Sequence, residues 1–126
     1  MDATVERTIG SGRLFDMERP LTKWEHDLLA AMAAVDGPRA EFVRESLSHL
    51  VVTGGCECGC RSFNVRDERH PPQPHELLHY SNAWSPDRTA SFALWLGPDG
   101  RPISVDDFSD GTGEPPDPRG LVIEAV

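Results

Sequence analysis

Thr89-Ala90-Ser91-Phe92-Ala93-Leu94-Trp95-Leu96-Gly97-Pro98-Asp99-Gly100-Arg101 reads as a strand that runs into a tight turn. Phe92, Leu94 and Leu96 alternate with Ala93 and Trp95, so one side of an extended chain is continuously apolar. Pro98 and Asp99 set the bend, and Gly100 can take the positive φ that reverses the chain. A strand that turns straight back on itself belongs to an antiparallel sheet.

Outward from this hairpin the same character holds. Short β-branched and aromatic runs separated by Pro and Gly predict strands near Leu50–Thr53, Arg61–Arg66, Leu77–Trp84, Thr89–Leu96 and Ile103–Phe108. Ser85-Pro86-Asp87-Arg88 reads as another turn, and Leu121-Val122-Ile123 as a short edge strand or packed tail. Pro71-Pro72-Gln73-Pro74 and Pro115-Pro116-Asp117-Pro118 exclude central strand and predict extended loops.

Before His49 the period changes. Thr22-Lys23-Trp24-Glu25 is a capping box, and Trp24, Leu28, Met32 and Val35 follow at steps of four, four and three, predicting a helix over Lys23–Val35. Asp36-Gly37-Pro38 ends it and starts a second helix over Pro38–Ser48, with Ala40, Val43 and Leu47 on its apolar side. The fold expected is α+β: an N-terminal helical hairpin packed on a four- or five-stranded antiparallel meander. Residues 1–19, polar and without a period, are expected to be a loosely ordered extension, and residues 20–126 one domain.

Charge narrows the function classes. A net charge of −9 over 126 residues repels phosphate backbones and anionic membrane surfaces, so neither nucleic acid nor membrane is an expected partner. No apolar run approaches the roughly 18 residues of a membrane span, and none near Met1 resembles a signal segment. The expected location is the cytoplasm.

Chemistry is concentrated in Gly54-Gly55-Cys56-Glu57-Cys58-Gly59-Cys60, which holds all three cysteines. Three cysteines without an export signal argue against a disulfide framework. A tetrahedral zinc site needs sulfurs roughly 3.8 Å apart, closer than the roughly 6.6 Å between alternate residues of a flat strand, so the chain must curl for them to converge. The flanking glycines permit that curl. His49, near in sequence, and His79, on a predicted neighbouring strand, are the candidate fourth ligands, while His70 and His75 flank the proline loop. The alternatives are that small cysteines serve close packing, or that they act in redox chemistry, with Cys56 and Cys60 able to pair. Asp106-Asp107 reads as a solvated acidic rim, and no nucleophile elbow or phosphate-cradling loop is present.

Taken with Pro20-Leu21-Thr22-Lys23-Trp24-Glu25, His49 and Pro115-Pro116-Asp117-Pro118, the cysteine run resembles a group of small bacterial proteins of unknown function marked by a CGCGC-type cluster after two helices. Glu57 stands where that group has glycine. The resemblance implies a domain from about Pro20 to Leu121, with the first 16 residues as an extension.

Two functions are expected. One is a non-catalytic acidic module that binds another protein, a basic one, in the manner of an inhibitor or immunity-type partner. The other is a small domain holding zinc through Cys56, Cys58 and Cys60.

Overall fold

In the computed structural model the described residues are 18–37, 39–55, 61–74, 76–109 and 114–126. In chain order the elements are β1 (Arg19–Pro20), α1 (Lys23–Ala33), α2 (Ala40–Ser46), a 3₁₀ turn (Leu47–His49), β2 (Leu50–Gly55), β3 (Phe63–Asp67), β4 (Leu78–Trp84), β5 (Ser91–Leu96), β6 (Pro102–Asp107), a second 3₁₀ turn (Pro118–Gly120) and β7 (Val122–Ala125). The strands form one seven-stranded antiparallel sheet in the order β1-β2-β3-β6-β5-β4-β7.

The capping box forms as read. Thr22 Oγ1 accepts from the Glu25 amide at 3.1 Å, and the Thr22 amide donates to Glu25 Oε1 at 2.8 Å. The Arg19 guanidinium closes on the same carboxylate at 2.8 and 2.9 Å. Helix α1 ends two residues before Val35, and α2 is shorter than the expected Pro38–Ser48. In α2 the Ser46 hydroxyl donates back to the Phe42 carbonyl at 3.0 Å, and from Leu47 the chain tightens into 3₁₀ geometry.

The sheet departs from the expected four- or five-stranded meander in two ways. First, it has seven strands. The edges β1 and β7 are two and four residues long, too short for alternation to declare β1 at all. Arg19, assigned by sequence to the N-terminal extension, pairs with Val52, and Glu18 is held by Arg66. Second, only β4-β5-β6 is a meander. After the β2–β3 hairpin the chain crosses two strands to reach β4, so β6 returns to lie against β3.

The proline loop is that crossover. Unable to donate from its prolines, it runs past the β5–β6 turn, where Gln73 Oε1 accepts from the Asp99 amide at 3.2 Å. The Gln73 carboxamide lies so close to Gly97 that a Cβ there would overlap it. Gly100 takes φ +87° in the turn, as its place in the sequence requires.

The apolar row Phe92, Leu94 and Leu96 is fully buried with Leu28, Leu29 and Met32 of α1, Val43 of α2 and Val105 of β6. Trp24 packs edge-to-face on Phe92, centroids 5.7 Å apart, while its indole N–H donates to Pro116 O at 2.8 Å and draws the β6–β7 connection onto α1. A bulge between His79 and Ser81 turns Tyr80 into the core. There the Tyr80 hydroxyl donates to Val35 O at 3.2 Å and Ser81 to Met32 O at 2.9 Å, tying the end of α1 to β4. Among the described residues no helix is long and apolar enough to cross a membrane.

Candidate functional site

The end of the sheet at the β2–β3 connection carries the chemistry that the sequence singles out. Gly55 pairs with Phe63, so Cys56, Cys58 and Cys60 fall within one seven-residue connection, itself outside the described residues over 56–60. Where the chain re-enters the described set, Asp107 anchors it. The Asp107 carboxylate, with a fully buried side chain, accepts from the Arg61 amide at 3.1 Å, from the Ser109 amide at 2.9 Å and from the Ser109 hydroxyl, and the Arg61 guanidinium stands 4.0 Å away. The Asp107 amide donates to Ser62 Oγ at 2.8 Å. Asp107 is therefore a buried clamp, not part of a solvated rim, because strand alternation sends it inward while Asp106 faces out.

Neither candidate histidine stands next to Gly55, the described start of this connection. His49 precedes β2 and lies six residues from Gly55, roughly 20 Å along a strand, with its Nε2 3.9 Å from Glu45. His79 lies in the row Gly54–Asn64–Ser104–Trp95–His79, four strand spacings from Gly54 and roughly 19 Å across the sheet. Its ring stacks on Trp95 at 4.4 Å and its Nε2 meets Asn82 Oδ1 at 2.8 Å. His70 is at the start of the crossover loop, and His75 lies outside the described residues. Among the described residues no three His, Cys, Asp or Glu side chains converge as a metal site.

Depressions meet around Gly55. On the helix side a cleft of about 450 Å³ is lined by Arg19, Trp24, Glu25, Arg61 and Phe63. Burial pushes the Glu25 carboxyl up, and the Arg19 fork and the Thr22 amide together outweigh it, holding the group below the usual carboxylate range. Beneath the crossover loop a second cleft of about 450 Å³ has Asn64, Arg66, Pro71, Pro72 and Ile103 in its wall. A smaller one of about 340 Å³ lies by Ser62, Asn64, Leu77, Ser104 and Asp106.

The sheet face away from the helices is aromatic and acidic. Across it Asp106 stands opposite Ala93, Ala93 opposite Asn82, and Asn82 opposite Glu124. Trp95 lies one row to one side and Trp84 one row to the other, with Arg88 over the Trp84 ring at 5.0 Å. Several carboxylates near the sheet are matched by arginine: Glu18 by Arg66, Glu25 by Arg19, Asp67 by Arg69 and Arg101, Asp99 by Arg101. Asp106 and Glu124 have no such partner among the described residues. Trp95 Nε1 is the one buried side-chain polar atom among them without a hydrogen bond.

This face was legible in sequence as alternation. Which carboxylates stay unmatched was not, because two of the pairings, Arg66 with Glu18 and Arg101 with Asp67, join segments far apart in the chain. Comparison with protein families, with curated proteins and with solved structures finds no match to this chain.

Proposed function

We propose that the protein is a non-catalytic binding module whose working surface is the helix-free sheet face, and that its partner is a basic protein. The observation that supports this is the pairing on one face of half-exposed Trp84 and Trp95 with two unmatched carboxylates, Asp106 and Glu124. Aromatic bulk supplies contact area at small entropic cost, and unmatched negative charge favours encounter with a positive surface. An inhibitor or immunity-type role follows from that chemistry, since masking a basic site needs shape and charge but no reaction.

The test is capture from native lysate by wild type and by an Asp106→Asn/Glu124→Gln variant, at low and high salt. A stoichiometric basic partner, lost in the variant and weakened by salt, is expected; Glu41→Gln on α2 serves as the control and retains it. Capture that ignores the face variant, or a partner that is acidic, refutes the reading.

A second reading assigns zinc to Cys56, Cys58 and Cys60. What favours it is confinement: Cys56, Cys58 and Cys60 all lie in the short stretch between Gly55 and Phe63, which pair across β2 and β3. Metal analysis of protein purified without a histidine tag decides it. Stoichiometric zinc with a chelator-sensitive melt supports it, and metal-free protein with three titratable thiols removes it.

A further inference from the structure

We propose that the cleft beneath the crossover loop binds a small neutral molecule with an apolar body and one hydrogen-bonding edge. The cleft is about 450 Å³, within the roughly 300–1,000 Å³ of small-molecule sites. Its loop wall is pinned, not draped: Gln73 holds the Asp99 amide, and the His70 carbonyl accepts from Arg66 Nη1 at 2.6 Å. Ile103, Pro71 and Pro72 give it apolar surface.

Charge decides the ligand class. Arg66 is gripped by Glu18 through Nε at 3.2 Å and Nη2 at 2.9 Å. Arg101 reaches Asp67 at 3.3 Å and Asp99 at 2.8 Å, and Asp67 also binds Arg69 at 2.7 Å. Each formal charge in the wall from arginine or carboxylate is thus already satisfied by its opposite. Apart from the His70 imidazole, an ionic ligand would enter without a counter-charge or would have to break one of these pairs, and either route is costly in a partly desolvated cleft. A neutral molecule meets no such penalty.

Hydrogen-bonding capacity remains in the same wall. The Asn64 carboxamide and the Thr53 hydroxyl bond to no described residue, so a donor, an acceptor and a rotatable hydroxyl face the ligand. Gly54, at the β2 bulge, leaves the space above Asn64 Nδ2 open, with a Cβ there 4.0 Å from that nitrogen. A flat ligand bearing an amide-like edge fits that combination.

Benzamide, benzoate and benzamidinium share one shape and differ in charge, and they serve as probes in a nuclear magnetic resonance titration of the full chain. Benzamide is expected to shift the Asn64 side-chain amide and the Ile103 methyl resonances, with both ions about tenfold weaker or more. Ile103→Trp should abolish the benzamide shifts by filling the cleft. Asn64→Asp, on an exposed strand position, should reverse the preference toward benzamidinium and keeps the test independent of repacking at Ile103. Equal binding of all three probes, tighter binding of either ion by wild type, shifts centred elsewhere, or no benzamide binding overturns the proposal.

Discussion

Leu94 is fully buried between Phe92 and Leu96 while its neighbour Trp95 is only half-buried, so a cavity at Leu94 has no solvent to relieve it. Leu94→Ala should cost about 2–5 kcal/mol, read as a lower denaturant midpoint with unchanged m-value. Asp67 offers a different lever. Its carboxyl is held well below the usual range chiefly by the Arg69 fork, which outweighs the opposing effect of burial, with the Arg69 amide adding to it. A lowered folded-state value means that its stabilisation is complete above about pH 4 and drains away as the pH falls further. Acid titration of wild type and Asp67→Asn should therefore show stability curves that converge at low pH; a constant offset would refute the linkage. The alternation around Leu94 was plain in the sequence. The inward turn of Asp107 was not, since two adjacent aspartates give no sign of which one finds the amides of Arg61 and Ser109.

At the scale of elements, what the sequence declares best is what is closed locally. The α1 capping box needs only Thr22 and Glu25, and the β5–β6 turn only its own Gly97–Arg101 segment, so both were legible. Strand β1 exists because Val51 and Val52 offer it a ladder, a fact stored more than 30 residues away. The crossover loop is similar: its prolines announce a loop, but only the fold brings Gln73 against Gly97. Gly97→Ala should evict the Gln73 carboxamide and lose the Asp99 bond, costing about 1 kcal/mol and speeding proteolysis within residues 68–77. Adding Gln73→Ala should remove most of the steric penalty, since the clash partner is then absent. If the double variant is no better than Gly97→Ala alone, the loop is not pinned there. The cleft behind this loop was invisible in sequence for the same reason, being assembled from β2, β3, β6 and the crossover.

For the whole molecule, the boundary matters first. Glu18 and Arg19 are bound to Arg66 and Glu25, so a chain starting at Met17 should fold cooperatively and melt close to the full-length protein. One starting at Leu21 loses both pairs and the β1 ladder, and should melt lower. Equal melting of the two shorter chains would show β1 to be dispensable. The sheet order has a deeper consequence. Strands β1-β2-β3 and β6-β5-β4-β7 are joined by the β3–β6 ladder, whose paired register covers only Phe63↔Val105 and Asn64↔Ser104. Each half contains a locally closed hairpin, and the join is a short zipper between segments far apart in the chain. Amide hydrogen exchange should accordingly resolve two blocks of protection, with the amides along that zipper released by an opening smaller than global unfolding. Folding should show the complementary order, hairpins within each half early and the zipper late, because the loop spanning residues 68–101 must be closed before its few bonds can form. The seam is thus thin in backbone pairing although α1, the Asp107 clamp and the Arg101–Asp67 pair span it, and anything lodged against Asn64 would press on it.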